Sequence, residues 1–142
     1  NNNIKIGFIK GRIWLVNNNN VEDINCIKIV SDKFEINVID FKDNKIKILK
    51  SNCFIDSNKI KQFYLSNNQI FEIEYNAFYK MTKLSELDLS VNNLTFIDSD
   101  LFIDLKNLYF LNLSNNRIEI LHKNLIKPLK NLIIFDISNN KI

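Results

Sequence analysis

The chain has 142 residues, 46% of them hydrophobic, which is enough for one domain with its own core. Its net charge is only +3, and two glycines with one proline exclude a flexible linker composition. No apolar run approaches the roughly 18 residues that cross a bilayer, so we expect no membrane span.

The first 35 residues contain short runs in which apolar and polar residues alternate, IKIGFIKGRIWLV and INCIKIV. This alternation predicts short strands. The run Asn17–Asn20 predicts a turn, because asparagine tolerates left-handed backbone. We interpret residues 1–35 as a β-rich amino-terminal cap, in which Phe8 and Trp14 cover the end of the following core.

From Ile36 onwards the sequence repeats every 24 residues, and LSELDLSVNNL at Leu84 is one copy. The copies start at residues 36, 60, 84, 108 and 132, and the last one is incomplete. All five have apolar residues at positions 1, 4, 6 and 11 of the copy. The ninth position of the successive copies is always an asparagine: Asn44, Asn68, Asn92, Asn116 and Asn140.

Each position of the copy has a physical explanation. Positions 4 and 6 face inward from a short strand, while positions 3 and 5 face outward, because successive strand residues alternate. Stacked copies join these strands into a parallel sheet over one continuous core. The asparagine supplies donors and an acceptor to the backbone of a sharp turn, so we predict a structural ladder. Phe54, Phe78 and Phe102 predict an aromatic spine on the convex side.

This pattern, L-x-x-L-x-L-x-x-N-x-L with Phe near position 19, resembles the typical 24-residue class of leucine-rich repeats. It is similar to extracellular insect immune proteins and Toll-type receptor ectodomains over residues 36–142. The resemblance implies an α/β-type repeat solenoid, a horseshoe with a short parallel concave sheet and an irregular convex side. It further implies a non-enzymatic, extracellular or secreted module of innate immunity that binds a protein partner. The alternatives are a cytoplasmic scaffold, favoured by the shortage of cysteines, and a truncated self-associating fragment.

Positions 2, 3, 5, 7 and 8 of each copy are expected to project from the concave sheet. There, five acids outnumber the bases Lys42 and Lys61, which disfavours a nucleic-acid groove. An apolar cluster beside several acids predicts a protein contact. Its predicted partner-binding residues are Tyr64, Glu86, Asp88, Tyr109, Phe110, Ile133, Ile134 and Asp136. A second copy of the chain, or further coils, could instead meet this cluster.

Chemistry-bearing residues are few. Cys53 is expected to be a small buried residue, with a Cys26–Cys53 disulfide as the alternative. The single His122 and two cysteines supply no metal ligand set, and no motif indicates a cofactor or a catalytic group. Asn93 and Asn112 begin N-x-S/T sequences, so both are candidate glycosylation sites.

The sequence ends at Ile142, at position 11 of its fifth copy. We expect an exposed sheet edge near Phe135 and Ile137, along which a second copy would form a homodimer.

Overall fold

A computed structural model describes residues 9–10, 13–15, 20–22, 24, 36–54 and 57–142. Its strands are short, as the 24-residue repeat requires. In the described part of the chain they are β1 (Ile9–Lys10), β2 (Ile13–Leu15), β3 (Val38–Asp40), β4 (Ile48–Leu49), β5 (Gln62–Tyr64), β6 (Glu72–Ile73), β7 (Glu86–Asp88), β8 (Phe110–Asn112) and β9 (Ile134–Asp136). One turn of 3₁₀ helix covers Ser57–Lys59.

Seven of these strands form one sheet in the order β1-β2-β3-β5-β7-β8-β9. The pair β1–β2 is antiparallel, and every later pair is parallel. From β3 onwards each residue pairs with the residue 24 positions later, as Leu87 does with Leu111. Strands β4 and β6 form a separate parallel pair. The predicted repeat solenoid with a parallel sheet is confirmed.

The core follows the inward positions of the repeat. Leu84, Leu87, Leu89 and Leu94 of the third copy are all fully buried. Side chains of this size each contribute about 1.5–3 kcal/mol when they leave water. One buried cluster runs through all the complete copies, and Phe135 of the last copy packs against it while partly exposed.

The aromatic spine differs from its prediction. The rings of Phe78 and Phe102 are 6.2 Å apart, as a column would require. Between Phe54 and Phe78, however, lies Phe63 of β5, whose ring is 4.8 Å from the first and 6.3 Å from the second. Phe63 is at position 4 of its copy, where the other complete copies have isoleucine or leucine. Its larger side chain reaches across the coil into the spine.

The amino-terminal segment continues the solenoid. Strand β2 pairs with β3 at an offset of 25 residues, so that Ile13 lies beside Val38. The amide of Val21 donates to Asn44 Oδ1, and the Val21 carbonyl accepts from the Lys45 amide. Ile46 makes the same two bonds with Asn68 and Gln69 of the next copy. The backbone of β2 and Val21 therefore acts as a further coil.

The other predictions for the amino-terminal cap concern residues that the structure describes only in part. Asn20 has a φ of 54°, the left-handed conformation expected in this asparagine run, while residues 17–19 lie outside the described residues. Phe8 also lies outside them, as does the side chain of Trp14, so their covering role stays a prediction. The same holds for the boundary at residue 36.

Cys53 is buried and disulfide-bonded, and its Sγ lies 3.8 Å from the carbonyl oxygen of Ile24. This sulfur is therefore close to the amino-terminal segment. Cys26 lies outside the described residues, so its pairing with Cys53 stays a prediction. No described helix is long and apolar enough to cross a bilayer.

Candidate functional site

The exposed face of the sheet carries a hydrogen-bond network centred on Glu86. Gln62 Nε2 donates to Glu86 Oε1 over 2.7 Å, and the Tyr64 hydroxyl donates to Oε2 over 2.7 Å. The Tyr109 hydroxyl also donates to Oε1. These donors come from the copies on either side of Glu86, so the carboxylate ties three neighbouring strands together.

The charge states of this network follow from its contacts. Burial raises the pKa of Glu86, but hydrogen bonds from Tyr109, Tyr64 and Gln62 outweigh burial and hold that pKa below its ordinary value. Burial, then the bond to Glu86, raises the pKa of Tyr64 well above its ordinary range. The bond to Glu86 likewise raises the pKa of Tyr109. At neutral pH the carboxylate is therefore charged and both hydroxyls keep their protons, which fixes the direction of the bonds.

An apolar surface lies beside the network. Phe110 pairs with Glu86 on one side and with Ile134 on the other. Tyr109 is 37% exposed, Ile134 48% and Ile133 80%, while Phe110 is partly buried. We name Tyr109, Phe110, Ile133 and Ile134 the concave patch. The structure thus places these four predicted residues in or directly before the adjacent strands β8 and β9. Glu86 is in direct contact with Tyr109, and Tyr64 is bonded to Glu86.

The acids at position 5 have a structural role that sequence reasoning missed. Asp88 Oδ1 accepts from the Ser90 amide over 3.0 Å, and Asp136 Oδ1 accepts from the Ser138 amide over 2.9 Å. Asn112 makes the same bond to Ser114. Each side chain closes a turn at the end of its strand. The signal was available as the recurrent D/N-x-S sequence at positions 5 to 7.

Hydrogen bonds from Ser138 hold the pKa of Asp136 below its ordinary value. Asp136 is thus an anion at neutral pH. Its Oδ1 accepts from the Ser138 amide, and the side chain is partly exposed.

The first copy shows how a cation fits on this face. Lys42 Nζ lies 3.4 Å from Asp40 Oδ2 and 5.2 Å from the centre of the Tyr64 ring. The lysine thus contacts a position 5 carboxylate and a neighbouring aromatic ring together. Position 7 is serine in the later copies, at Ser66, Ser90, Ser114 and Ser138.

The asparagines at position 9 lie inside the turns. Asn92 Nδ2 donates to the carbonyls of Leu65, Leu89 and Ser90, and its Oδ1 accepts from the Ile70 amide over 2.9 Å. Equivalent bonds are made by Asn68 and Asn116. Asn44 is buried in the same way, whereas Asn140 is partly exposed. Because these polar atoms are engaged with backbone, they are not available to a ligand.

The two candidate glycosylation sites lie in different places. Asn93 is partly exposed in the turn after Asn92, and Thr95 beside it is exposed. Asn112 lies in β8 next to the concave patch, and its Oδ1 also accepts from the Ser114 hydroxyl over 2.7 Å. A glycan on Asn112 would cover the patch, whereas a glycan on Asn93 would leave it open.

No cluster of three or more potential metal ligands occurs among the described residues. His122 is exposed, and its Nδ1 accepts from the Asn124 amide over 3.2 Å. This single contact closes a local turn.

A second concavity lies between the second and third copies, away from the sheet. It is a groove of about 250 Å³ whose walls include Tyr75, Tyr79, Asp98, Asp104 and the exposed Ile103. None of these residues belongs to the predicted partner-binding set. This groove lies away from the concave patch, so a substitution in it can serve as a control for substitutions in the patch.

Comparisons with known proteins agree with this architecture. A family model described as "Leucine rich repeat" matches residues 61–118. Among solved structures, the crystal structure of a TLR13–ssRNA13 complex superposes with a TM-score of 0.83 at 23% sequence identity. The match covers 95% of this chain and 19% of that chain. No curated protein matches the sequence.

Proposed function

We propose that this chain, which has a repeat solenoid fold similar to that of a Toll-type receptor ectodomain, is a non-enzymatic leucine-rich-repeat module that binds a protein partner. The binding surface is the concave patch together with Tyr64, Glu86, Asp88 and Asp136. The observation that carries the proposal is the exposure of Ile134 beside Phe110, next to a Tyr109 ring held by Glu86. Aromatic anchors held in place before binding lose little conformational freedom when a partner docks.

A protein partner is favoured over a nucleic acid by the charge of this surface. Asp88 and Asp136 lie on strands on either side of β8, and Glu86 lies beside its Phe110. Binding of a phosphate backbone depends on lysine and arginine side chains, and these acids would repel it. The RNA in the similar structure is bound by TLR13, and the similarity in fold does not extend that ligand to this chain.

For location, we propose the extracellular side or the lumen of an endosome, with a role in innate immunity. The disulfide at Cys53 supports an oxidising compartment, since such bonds are rare in the cytosol. A glycan on Asn93 in protein from its natural source would agree with this location. Protein found in the cytosol without that glycan would instead favour the cytoplasmic scaffold.

The test is affinity capture from extracellular fluid with three forms of the chain. We expect Phe110→Ala to lose partners that the wild type retains. Ile103→Ala, which removes an exposed side chain from the groove on the other side, serves as the matched control and should retain them. Thermal unfolding is measured for both variants, and capture is carried out at a temperature at which both are fully folded. Equal capture by all three forms would refute the proposed surface.

A second copy of the chain is the other candidate partner. The 80% exposure of Ile133 favours it, as does the position of β9, which pairs with β8 at one end of the sheet order. Light scattering over a concentration series tests it: a dimer that Ile134→Asp dissociates would support self-association, and a monomer at every concentration would exclude it.

A further inference from the structure

From the same surface, and on the basis of the proposed function, we infer the chemistry of the partner: a basic segment that places an aliphatic or aromatic side chain on the concave patch and an arginine or lysine between Asp88 and Asp136.

The tyrosine hydroxyl groups of the proposed binding surface offer only acceptors to a partner. A tyrosine hydroxyl has one hydrogen, and both Tyr64 and Tyr109 donate it to Glu86. Each oxygen then has only lone pairs left for further hydrogen bonds. A partner that contacts these oxygens must therefore bring N–H or O–H groups of its own.

The carboxylates next to the patch are likewise hydrogen-bond acceptors. One oxygen of Asp88 and one of Asp136 accept from Ser90 and Ser138. Among the described residues, neither carboxylate has an ion pair. Both acids pair in register with Asn112, so with strands about 4.8 Å apart they lie roughly 10 Å from each other. A cation placed above Asn112 would lie between two anions.

The first copy already contains the expected contact. Lys42 bonds to Asp40 and lies over the Tyr64 ring, which neutralises the position 5 acid of that copy. The fourth and fifth copies have Ser114 and Ser138 where the first has Lys42, so they supply no such cation. A cation from the partner would do for Asp88 and Asp136 what Lys42 does for Asp40.

The geometry also sets the spacing within the partner. The patch residues Phe110 and Ile134 lie two positions before Asn112 and Asp136 along their strands, a distance of about 7 Å. An extended segment with an apolar residue and a basic residue two positions apart spans this distance. An acidic segment, or a phosphate backbone, would bring like charge to the same place.

The experiment selects phage-displayed random peptides on the wild-type chain, with Phe110→Asp as the counter-selection. The chains are made without glycosylation, because Asp88→Asn and Asp136→Asn each create an N-x-S sequence. Selected peptides are then measured on the double variant Asp88→Asn/Asp136→Asn, in which the asparagine oxygens still accept from the turn amides. The matched control is Asp100→Asn/Glu119→Gln, which changes the net charge equally at exposed residues outside the concave sheet.

We expect enrichment of arginine or lysine two positions from an apolar residue. Binding should weaken about tenfold on Asp88→Asn/Asp136→Asn and stay unchanged on the control, with a clear dependence on salt. Peptides that require Phe110 but lack basic residues would overturn the inference and leave the proposed surface standing. If no selected peptide depends on Phe110, both the inference and the proposed function fail.

Discussion

Val91 has a backbone conformation that its side chain disfavours. Its φ is 53°, and the residues at the same position of the other copies have nearly the same value: Asp43, Asn67, Asn115 and Asn139. Aspartate and asparagine visit this left-handed region readily, whereas a β-branched residue is an outlier there, at a cost of about 1–2 kcal/mol. Neighbouring side chains in this column also bond to each other, as Asn67 does to Asp43 and Asn139 to Asn115.

We therefore predict that Val91→Asn raises the free energy of unfolding by about 1 kcal/mol. The change relieves the backbone and allows bonds to Asn67 and Asn115. Urea denaturation measures it, with Val91→Thr as the control, because threonine keeps the β-branch. An equal effect of the two substitutions would show that the left-handed backbone at Val91 is not strained.

The turn that follows each strand depends on one asparagine. Asn92 bonds to the backbone of its own copy and of the copy before it, and it is buried. We predict that Asn92→Ala lowers the free energy of unfolding by about 2–4 kcal/mol, since each orphaned buried group costs about 1–3 kcal/mol.

Asn140→Ala is the internal comparison for that measurement. Asn140 makes the same kinds of bond to Leu113 and Ile118, but it is partly exposed, so water can replace them. Its loss should cost about 1 kcal/mol or less. If chemical denaturation shows equal costs at both positions, burial is not what makes the ladder important.

Strand positions followed from the sequence because five copies repeat without a slip, so β3, β5, β7, β8 and β9 each begin at position 3 of a copy. The coil that contains β2 was missed because its offset is 25 residues. With that offset, GRIWLVNNNNV at residues 11–21 fits the repeat pattern at positions 4, 6, 9 and 11 but has Gly11 at position 1. Its ninth residue is Asn19, which lies outside the described residues. A search that allowed one extra residue would have found it.

The candidate site was harder to predict than the fold. The column positions placed Phe110 and Ile134 on the outward face, because alternation along a strand fixes which side chains point outward. Tyr109 and Ile133 come from position 2 of their copies, directly before β8 and β9, where strand alternation does not decide the direction. The repeat positions did not indicate a role for Gln62. They also did not show that the Glu86 carboxylate accepts hydrogen bonds from three side chains. Such a network depends on rotamers in three adjacent copies, and sequence periodicity carries no information about rotamers.

In the whole molecule, each copy contacts mainly its neighbours, so the effect of a substitution should spread only a short distance. Leu113 is fully buried at an inward position, whereas Phe110 lies partly exposed at an outward position of the same copy. We predict that Leu113→Ala costs about 2–5 kcal/mol through lost core volume, and that Phe110→Ala costs about 1 kcal/mol or less.

Hydrogen exchange shows where that cost appears. In Leu113→Ala, exchange should accelerate at the amides of Leu89 and Leu113, which bond to Asn112 and Asp136 in the neighbouring copies. The amide of Phe41, which bonds to Tyr64 in the next copy, lies three copies from Leu113 and should stay protected. Faster exchange at all three amides would mean that the solenoid opens as one cooperative unit.

Equal destabilisation by Leu113→Ala and Phe110→Ala would instead refute the assignment of inward and outward faces, and the concave patch with it.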